Sequence, residues 1–440
     1  MRRIPLVFFF GLFASVSVTL VAGFYGVQNE YLLEAISVLG VGVALTAILI
    51  IGFRNYTLQE RIIKILRENA LNLKDISGTF GRSAPIIRNI DSRTKILVQN
   101  EFEHKDGWQY HHPPRLLIAG DDLKFIQPLL PVLGKSFDVK IDRWQGADQH
   151  NEAHSKELLE WADIILCEWF LGNAVWYSWN KKPRQRLVIR LHMFEADREY
   201  AFLANRNNID SIVTVSKWMG SVIEQKLAFN ANTLTVIPNA VRTKGFLLSE
   251  EPARQFRLAL VGCVPSRKGL ARGIEILHRL QKVDKRYTLS ILGKKPQDFP
   301  WIVSNKSEVL YYQHCEELIK KYHLDSSIEF TGWIEIEQAL SQYGIILSLS
   351  DSESFHVAPL EAFSAGSVSI VFPWPGAEDV HPPTTIVYSV EEAVKRIISL
   401  QSEEVYKVAL EEGREWVKSK YISEKVGQQV ASHLMGNNNA

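Results

Sequence analysis

The sequence has few cysteines, almost no net charge and no repeats. The three cysteines among its 440 residues, Cys167, Cys263 and Cys315, form neither a metal-ligand spacing nor a disulfide framework. Such sparse usage is typical of a reducing compartment. The net charge is +1, so no general electrostatic case exists for nucleic acid as a partner. No internal repeat is visible, and the length predicts two or three domains.

Two apolar runs without any charged residue stand out near the N-terminus, at residues 4–27 and 35–53. Each is about as long as the roughly 20 residues that a helix needs to cross a bilayer, so they predict two membrane helices joined by a short polar turn. A cleaved signal peptide is the alternative for the first run, because Arg2 and Arg3 precede it. Basic residues outside both runs predict that the two ends face the cytoplasm. The expected location is therefore the cytoplasmic face of a cell membrane, with the bacterial inner membrane as the expected case.

Short apolar runs alternate with helical stretches from about residue 111 onward, and the pattern restarts after the breakpoint SEEPAR. Strands separated by helices predict parallel sheets covered on both faces. The predicted fold class is therefore α/β, with two doubly wound Rossmann-like domains facing a cleft. The predicted order is a membrane anchor with two spanning helices and an amphipathic helix, a linker or cap, an N-terminal Rossmann-like domain, and a C-terminal Rossmann-like domain whose final helices pack back on the N-terminal one. These four parts are expected at residues 1–69, 70–110, 111–248 and 249–440.

The stretch VGCVPSRKGL places two cations where a strand gives way to a helix. Arg267 and Lys268 lie just before the predicted helix, whose free amides and dipole favour an anion. A solvated basic turn is the alternative, and the Walker A pattern is absent. The stretch indicates an anion site at the carboxyl edge of the second sheet.

The stretch SLSDSESFHVAPLEAF has the same order of strand, loop and helix, and it carries two carboxylates. Glu353 is expected in the loop and Glu361 about one turn into the helix. This spacing does not fix the separation that a glycosidase acid/base pair needs, and it favours two separate acceptors for hydroxyl groups. A capping carboxylate with an exposed helix glutamate is the alternative.

In order along the chain, these stretches resemble the nucleotide-sugar-binding half of the retaining GT-B glycosyltransferases with the E-x7-E motif, the group 1, family-4-like enzymes. RLVIRLHMFE, DSIVTVSKWMGSVI and LTVIPNAV resemble the upstream half of that family. The resemblance covers roughly residues 114–435. It implies that the N-terminal Rossmann-like domain, at residues 111–248, is the acceptor domain and that the C-terminal one, at residues 249–440, is the nucleotide-sugar domain. It also implies a nucleotide-diphosphate sugar as donor, transfer with retention, and no required cofactor. No metal is expected either, because Asp121 and Asp122 are better interpreted as a helix start than as a metal site.

The resemblance also implies site residues. The implied catalytic residues are His192, Glu353 and Lys268. The implied donor-binding residues are Gly120, Gly262, Arg267, Lys268, Glu353, Ser354, Phe355, His356, Val357 and Glu361. Within the donor set, the diphosphate is assigned to the two cations, the sugar hydroxyls to Glu353 and the ribose to Glu361.

Candidate acceptor-binding residues come from a tryptophan-rich segment and from the strand that follows it. Aromatic rings stack on sugar faces while polar side chains bind hydroxyl groups, although core packing explains such rings equally well. The candidates are Glu168, Trp169, Asn173, Trp176, Arg190 and Glu195.

Three positions depart from the family pattern. Cys263 stands where the family has arginine, and His356 and Ala240 stand where it has glycine. The expected function is a membrane-anchored glycosyltransferase acting on a lipid-linked or polysaccharide acceptor in cell-surface glycan synthesis. The alternative is a non-catalytic GT-B scaffold or sugar-binding subunit, and a GT-B epimerase is the nearest enzyme rival.

Overall fold

The computed structural model describes residues 112–248 and 253–436, which form two α/β domains. The predicted anchor over residues 1–69 and the linker over 70–110 lie outside the described residues. In the part that is described, no helix is long and apolar enough to cross a bilayer.

The N-terminal domain is built on a six-stranded parallel sheet with the order β2-β1-β3-β4-β5-β6. Its inner strands are buried along their whole length because helices cover both faces, which explains their unbroken apolar sequences. The strands are β1 Arg115–Gly120, β2 Asp138–Arg143, β3 Ile164–Glu168, β4 Arg186–Leu191, β5 Ser211–Thr214 and β6 Leu234–Val236.

Helices in the connections complete this domain, and polar side chains begin several of them. Asn151 accepts a hydrogen bond from the amide of His154, and Ser216 accepts one from Met219, so both act as N-caps. The helices are α1 Leu130–Leu133, α2 Glu152–Trp161, α3 Gly172–Asn180, α4 Tyr200–Leu203 and α5 Lys217–Leu227.

The C-terminal domain is built on a five-stranded parallel sheet with the order β11-β10-β7-β8-β9. The strands are β7 Arg257–Val261, β8 Thr288–Leu292, β9 Ile328–Gly332, β10 Ile345–Ser348 and β11 Val368–Val371. The helices are α6 Leu270–Val283, α7 Pro300–Val303, α8 Lys306–Lys321, α9 Ile336–Ala339, α10 Ala358–Ser364, α11 Ala377–Val380, α12 Val390–Ser399, α13 Glu403–Lys420 and α14 Ser423–Leu434.

The last helix, α14, packs on the N-terminal domain. Val426 and Leu434 belong to the buried cluster that covers one face of the N-terminal sheet. Gly427 allows this approach, because a Cβ at that position would lie 2.8 Å from the Cβ of Val132. The helix α14 is therefore part of the N-terminal domain's packing although it follows the C-terminal domain in sequence.

Loops from the carboxyl edges of the two sheets touch each other. Ser216, after β5, donates a hydrogen bond to the carbonyl of Ser354, after β10, at 2.9 Å. Val215 packs in one apolar cluster with Phe355. The carboxyl edges of parallel sheets are where such folds bind ligands. The prediction of two Rossmann-like α/β domains is confirmed, and the arrangement is consistent with the GT-B fold.

Candidate active site

The two cations of the VGCVPSRKGL stretch lie beside the loop that follows β10. Gly269 has a positive φ of 79° and ends the turn, and α6 begins at the next residue. A Cβ on Gly269 would lie 2.2 Å from the carbonyl oxygen of Leu349, so only glycine allows this approach. The close contact places Lys268 and Arg267 at the carboxyl edge of the sheet, next to Glu353.

Glu353 is the acceptor at the centre of this cluster. The Nζ atom of Lys268 lies 2.5 Å from its Oε1 atom, and Nη1 of Arg267 lies 3.4 Å away. Ser350 donates a third contact to the same oxygen at 2.7 Å. We call Lys268, Arg267 and Glu353 the charged cluster.

The charged cluster keeps its carboxylate ionised although Glu353 is only 8% exposed. Burial by itself raises the pKa of this carboxyl group. The positive fields of Lys268 and Arg267, together with the hydrogen bond from Lys268, outweigh burial and lower the pKa to about 2. At neutral pH the cluster therefore holds two cations and one anion, an excess of one positive charge.

His356 keeps the backbone conformation that glycine favours. Its φ is +54°, in the left-handed region where histidine is among the more tolerated non-glycine residues. Its Nδ1 atom lies 2.7 Å from the hydroxyl oxygen of Ser348. Burial and the field of Lys268 lower the pKa of His356 to about 3, so the imidazole is neutral. The departure from the family pattern changes the side chain in this loop and leaves its backbone geometry possible.

Glu361 lies in the first turn of α10, where Pro359 is also accommodated. Burial raises its pKa to about 7, and the field of Arg242 only partly opposes this. The Nε atom of Arg242 lies 4.0 Å from the carboxylate, and the same guanidinium contacts Glu337. The second glutamate of the motif is thus held in a much less positive environment than the first.

Cys263, at the position after the strand-end glycine where the family has arginine, lies in the apolar core. Cys263 is 1% exposed and packs in the main apolar cluster of the C-terminal domain, where a guanidinium has no place. Its carbonyl accepts a hydrogen bond from the hydroxyl of Tyr312 at 2.8 Å. Arg267 brings the second positive charge to Glu353 instead.

The remaining predicted donor-binding residues, Gly262, Phe355 and Val357, differ in burial and in their contacts. Gly262 has a positive φ of 72°, and its amide donates to the carbonyl of Leu292. Phe355 is buried edge-on against Tyr421, so its ring belongs to the core. Val357 is the partly buried residue that precedes α10. Their donor-binding role, which is assigned to backbone atoms, stays a prediction.

On the N-terminal side, His192 follows β4 between two aromatic rings. Its ring stacks on Phe125 with centroids 4.7 Å apart and lies 4.4 Å from Trp169. The side chain is 3% exposed, and burial together with the field of Arg190 lowers its pKa well below the usual value. His192 is therefore a neutral, rigidly packed group at the carboxyl edge of the sheet.

Glu168 and Arg190 form a buried pair at the ends of β3 and β4. Nη1 of Arg190 lies 3.5 Å from Oε1 of Glu168, and the two side chains are 1% and 0% exposed. Burial raises the pKa of Glu168 to about 7, although Arg190 acts against this. Arg190 also donates to the side-chain oxygen of Asn239 at 2.5 Å.

Three predicted acceptor residues make hydrogen bonds or ring contacts within the N-terminal domain. Glu195 accepts hydrogen bonds from the amides of Phe170 and His192, and Asn173 donates to the carbonyls of Ala119 and Glu168. Trp176 packs against Tyr177 and His150 rather than against His192. These contacts orient loops, and direct acceptor binding by these three side chains stays a prediction.

Gly120 and Trp169 lie closer to the expected cleft. A Cβ on Gly120 would lie 2.7 Å from the carbonyl oxygen of Glu168, so glycine lets the ends of β1 and β3 approach. Trp169 has a positive φ of 71°, and its indole donates to the carbonyl of Asp122 at 2.6 Å. Both residues help to place the aromatic rings around His192.

Sequence reasoning did not select four residues that contact the predicted site. Asn239 and Phe125 contact His192, while Ser350 and Arg242 contact the two motif glutamates. Asn239 lies in LTVIPNAV, a stretch already quoted for its resemblance, so a signal for it existed. Phe125 and Arg242 lie in ordinary-looking loops that only the tertiary structure brings to the site. In the described residues, no group of three or more His, Cys, Asp or Glu side chains is arranged to hold a metal ion.

A family match is found for the C-terminal domain. Residues 255–403 match the family described as glycosyl transferases group 1. No curated protein matches the sequence.

Solved structures of similar fold cover both domains. HepE of Anabaena, crystallised with UDP and glucose, has a TM-score of 0.54 at 15% identity, covering 73% of this chain and 100% of its own. Sucrose-phosphate synthase of Thermosynechococcus elongatus has 0.55 at 13%, covering 73% and 98%. A glycosyltransferase of Rickettsia africae has 0.52 at 13%, covering 74% and 99%. The chain thus has the two-domain fold of these proteins, and its C-terminal domain matches the glycosyl transferases group 1 family.

Proposed function

We propose that this protein is a membrane-anchored glycosyltransferase that moves a sugar, with retention, from a nucleotide-diphosphate sugar to a lipid-linked or polysaccharide acceptor. The observation that carries the proposal is the charged cluster at the carboxyl edge of the C-terminal sheet, directly before α6. The family match over residues 255–403 supports the reaction class. HepE, a protein of the same fold, holds UDP and glucose in its structure, which makes UDP-sugars the first donors to test.

The charged cluster suits a diphosphate. Lys268 and Arg267 precede a 14-residue helix whose N-terminal amides carry partial positive charge. When a diphosphate takes the two cations, the oxygens of Glu353 become available to accept hydrogen bonds from sugar hydroxyls. As the glycosidic bond breaks, negative charge grows on the leaving diphosphate, and the same cations stabilise it.

The opposite wall suits the acceptor reaction. His192 is neutral, and it is flanked by Phe125 and Trp169. Such a wall excludes water and lets the acceptor hydroxyl approach on the face that the diphosphate leaves, which is what retention requires. An oxocarbenium-like state between this wall and the charged cluster is the proposed transition state.

The anchor completes the proposal. Two uncharged runs at residues 4–27 and 35–53 precede the catalytic domains. Basic residues outside both runs favour the cytoplasmic face, where nucleotide sugars are made available. An anchored enzyme holds its cleft near lipid-linked acceptors, in keeping with cell-surface glycan synthesis.

The test is turnover by the full chain reconstituted in lipid nanodiscs. Nucleotide release is measured for a panel of nucleotide sugars with and without a lipid extract as acceptor, and NMR determines the anomeric configuration of the product. We expect release with one donor class, dependent on acceptor, and an axial or equatorial linkage that matches the donor. An inverted product would overturn the retaining mechanism.

The second candidate is a non-catalytic sugar-binding subunit, and His356 at a family glycine position is the observation that favours it. Nucleotide binding without turnover of any donor would select this candidate. Conversion of the nucleotide sugar to its epimer without acceptor would instead select an epimerase. Each outcome contradicts the glycosyltransferase proposal.

A further inference from the structure

His192 has one ring nitrogen paired and one unpaired. Its Nε2 atom lies 3.4 Å from the side-chain oxygen of Asn239. Its Nδ1 atom is buried and has no hydrogen-bond partner among the described residues. A buried acceptor or donor without a partner has lost the hydrogen bonds that it makes in water, so this atom is available for a ligand.

The orientation of the Asn239 amide follows from Arg190. The guanidinium has only donors, and its Nη2 atom lies 2.5 Å from the amide atom, which must therefore be the oxygen. Asn239 is 1% exposed and Arg190 is 1% exposed, so no water competes for this contact. The pair is fixed by β4 on one side and by the segment after β6 on the other.

The same oxygen faces His192 and accepts only from a nitrogen that carries a proton. Nε2 of His192 must then be the protonated nitrogen, and Nδ1 of the neutral ring keeps a lone pair. Stacking on Phe125 and the neighbouring ring of Trp169 hold the plane of the imidazole in this orientation.

We propose that Asn239, oriented by Arg190, is a positioning residue that holds His192 as the Nε2-protonated tautomer, so that Nδ1 accepts a hydrogen bond from a hydroxyl of a bound sugar. This role deepens the proposed function and rests on it for the substrate. Sugar hydroxyls are donors as well as acceptors, and a neutral nitrogen acceptor selects them over anionic groups.

The charges around the ring keep it neutral while this happens. Arg190 and Lys124 lower the pKa of His192, in addition to burial. Glu195 contacts its backbone amide, and Glu168 pairs with Arg190 on the adjacent strand. The positive side chains thus oppose protonation of Nδ1.

The direct test is the tautomer itself, measured by ¹⁵N NMR of the full chain with labelled histidine and no substrate. A His192→Gln spectrum identifies the signals of this ring. We expect the Nε2-protonated form to exceed the other by at least about tenfold, since the alternative loses a buried hydrogen bond. An equal mixture, or a dominant Nδ1-protonated form, would overturn the proposal.

Two variants separate positioning from structure. Asn239→Ala removes the acceptor and is expected to mix the tautomers, whereas Asn239→Asp keeps an acceptor, retains the tautomer and raises the pKa of His192 through its negative charge. Asn208→Ala is the matched control, because Asn208 donates to a backbone carbonyl in the same domain away from His192. Unchanged His192 signals in Asn239→Ala would contradict the proposal even if that variant were active.

The spectra separate this inference from the proposed function, since they require no turnover. If the tautomer is as expected and no donor reacts, only the proposed function fails. If a donor reacts and the tautomer is wrong, only the role of Asn239 fails. In the active case, Asn239→Ala is expected to lower kcat more than it changes KM for the nucleotide, which binds the other domain.

Discussion

The two sheet edges that face each other use buried carboxylates in opposite ways. Glu353, at the C-terminal edge, is 8% exposed with a pKa of about 2, and Glu168, at the N-terminal edge, is 0% exposed with a pKa of about 7. The first has a lysine at 2.5 Å and an arginine at 3.4 Å, and the second has one arginine at 3.5 Å. Burial favours the neutral acid in both cases, and only the close cations reverse it.

The difference teaches how the carboxyl edges of two similar parallel sheets come to hold a charged group in one case and an uncharged, aromatic-lined group in the other. The charged cluster is preorganised for a ligand with several negative charges, because its cations already lie together. The aromatic surroundings of His192 are preorganised to exclude water. The donor that we propose, a nucleotide sugar, carries its charge at the diphosphate and its hydroxyls at the sugar. Under this proposal, the charged cluster receives the diphosphate and the surroundings of His192 receive the sugar.

Removal of a cation from the charged cluster is expected to have the largest effect. Lys268→Ala should lower kcat/KM by on the order of 100-fold or more, because it removes charge stabilisation from the leaving diphosphate. Initial rates of nucleotide release measure this. Lys282→Ala is the matched control, since Lys282 is an exposed lysine in the last turn of the same helix. Activity of Lys268→Ala within about twofold of the parent would place the diphosphate elsewhere.

Glu361→Gln should separate binding from stability. The pKa of Glu361 is raised to about 7, above about 4.3 for an unfolded chain, so the folded state binds more protons between these values. Stability from this group is therefore present below pH 4.3 and is lost as pH rises toward 7. The glutamine variant should gain roughly 2–4 kcal/mol at pH 8 and nothing at pH 4.

The same variant should bind nucleotide more weakly, because an amide is a poorer acceptor than a carboxylate for ribose hydroxyls. Urea unfolding at the two pH values and calorimetric titration with UDP measure the two effects. Glu404→Gln, an exposed glutamate in the first turn of α13, controls for charge removal. Equal stability of the parent and Glu361→Gln at pH 8 would show that Glu361 is ionised without strain.

His356→Gly should have the smallest effect on stability and a selective effect on donors. Glycine relieves the left-handed strain at φ +54° but raises the entropy of the unfolded chain, so the net change should stay within about 1 kcal/mol. His323→Gly, at another histidine with a positive φ of 56°, is the matched control. The ratio of kcat/KM between two donors should change in His356→Gly alone. An unchanged ratio would mean that the imidazole does not face the donor sugar.

The elements at the charged cluster were predictable because their signals are local. A strand, a glycine turn and a helix follow one another in VGCVPSRKGL, and Gly269 meets a steric demand that only glycine satisfies. The loop and helix that carry the two glutamates were predicted from the same order of strand, loop and helix, with Pro359 in the first turn of α10. The cluster itself required the parallel sheet to place β7 beside β10.

The N-terminal site was less predictable because its contacts join distant segments. Trp176 and Trp169 look alike in sequence, yet only Trp169 lies beside His192. Trp169 directly follows β3 and has a positive φ, which turns its side chain toward the imidazole. Glu195 looks like a surface acid and is instead buried among backbone amides. Side-chain type indicates what a residue can bind but not which partner the fold supplies.

The sequence by itself determined the fold class and the chemistry available at each strand end. The order of apolar runs, turns and helices is a local property, and parallel α/β folds follow from it. Only the tertiary structure decided the charge state of each group. Glu353, Glu361 and Glu168 are the same residue type. The pKa of Glu353 is about 2, whereas those of Glu361 and Glu168 are about 7, because packing sets the burial of each carboxyl group and its distance to a cation.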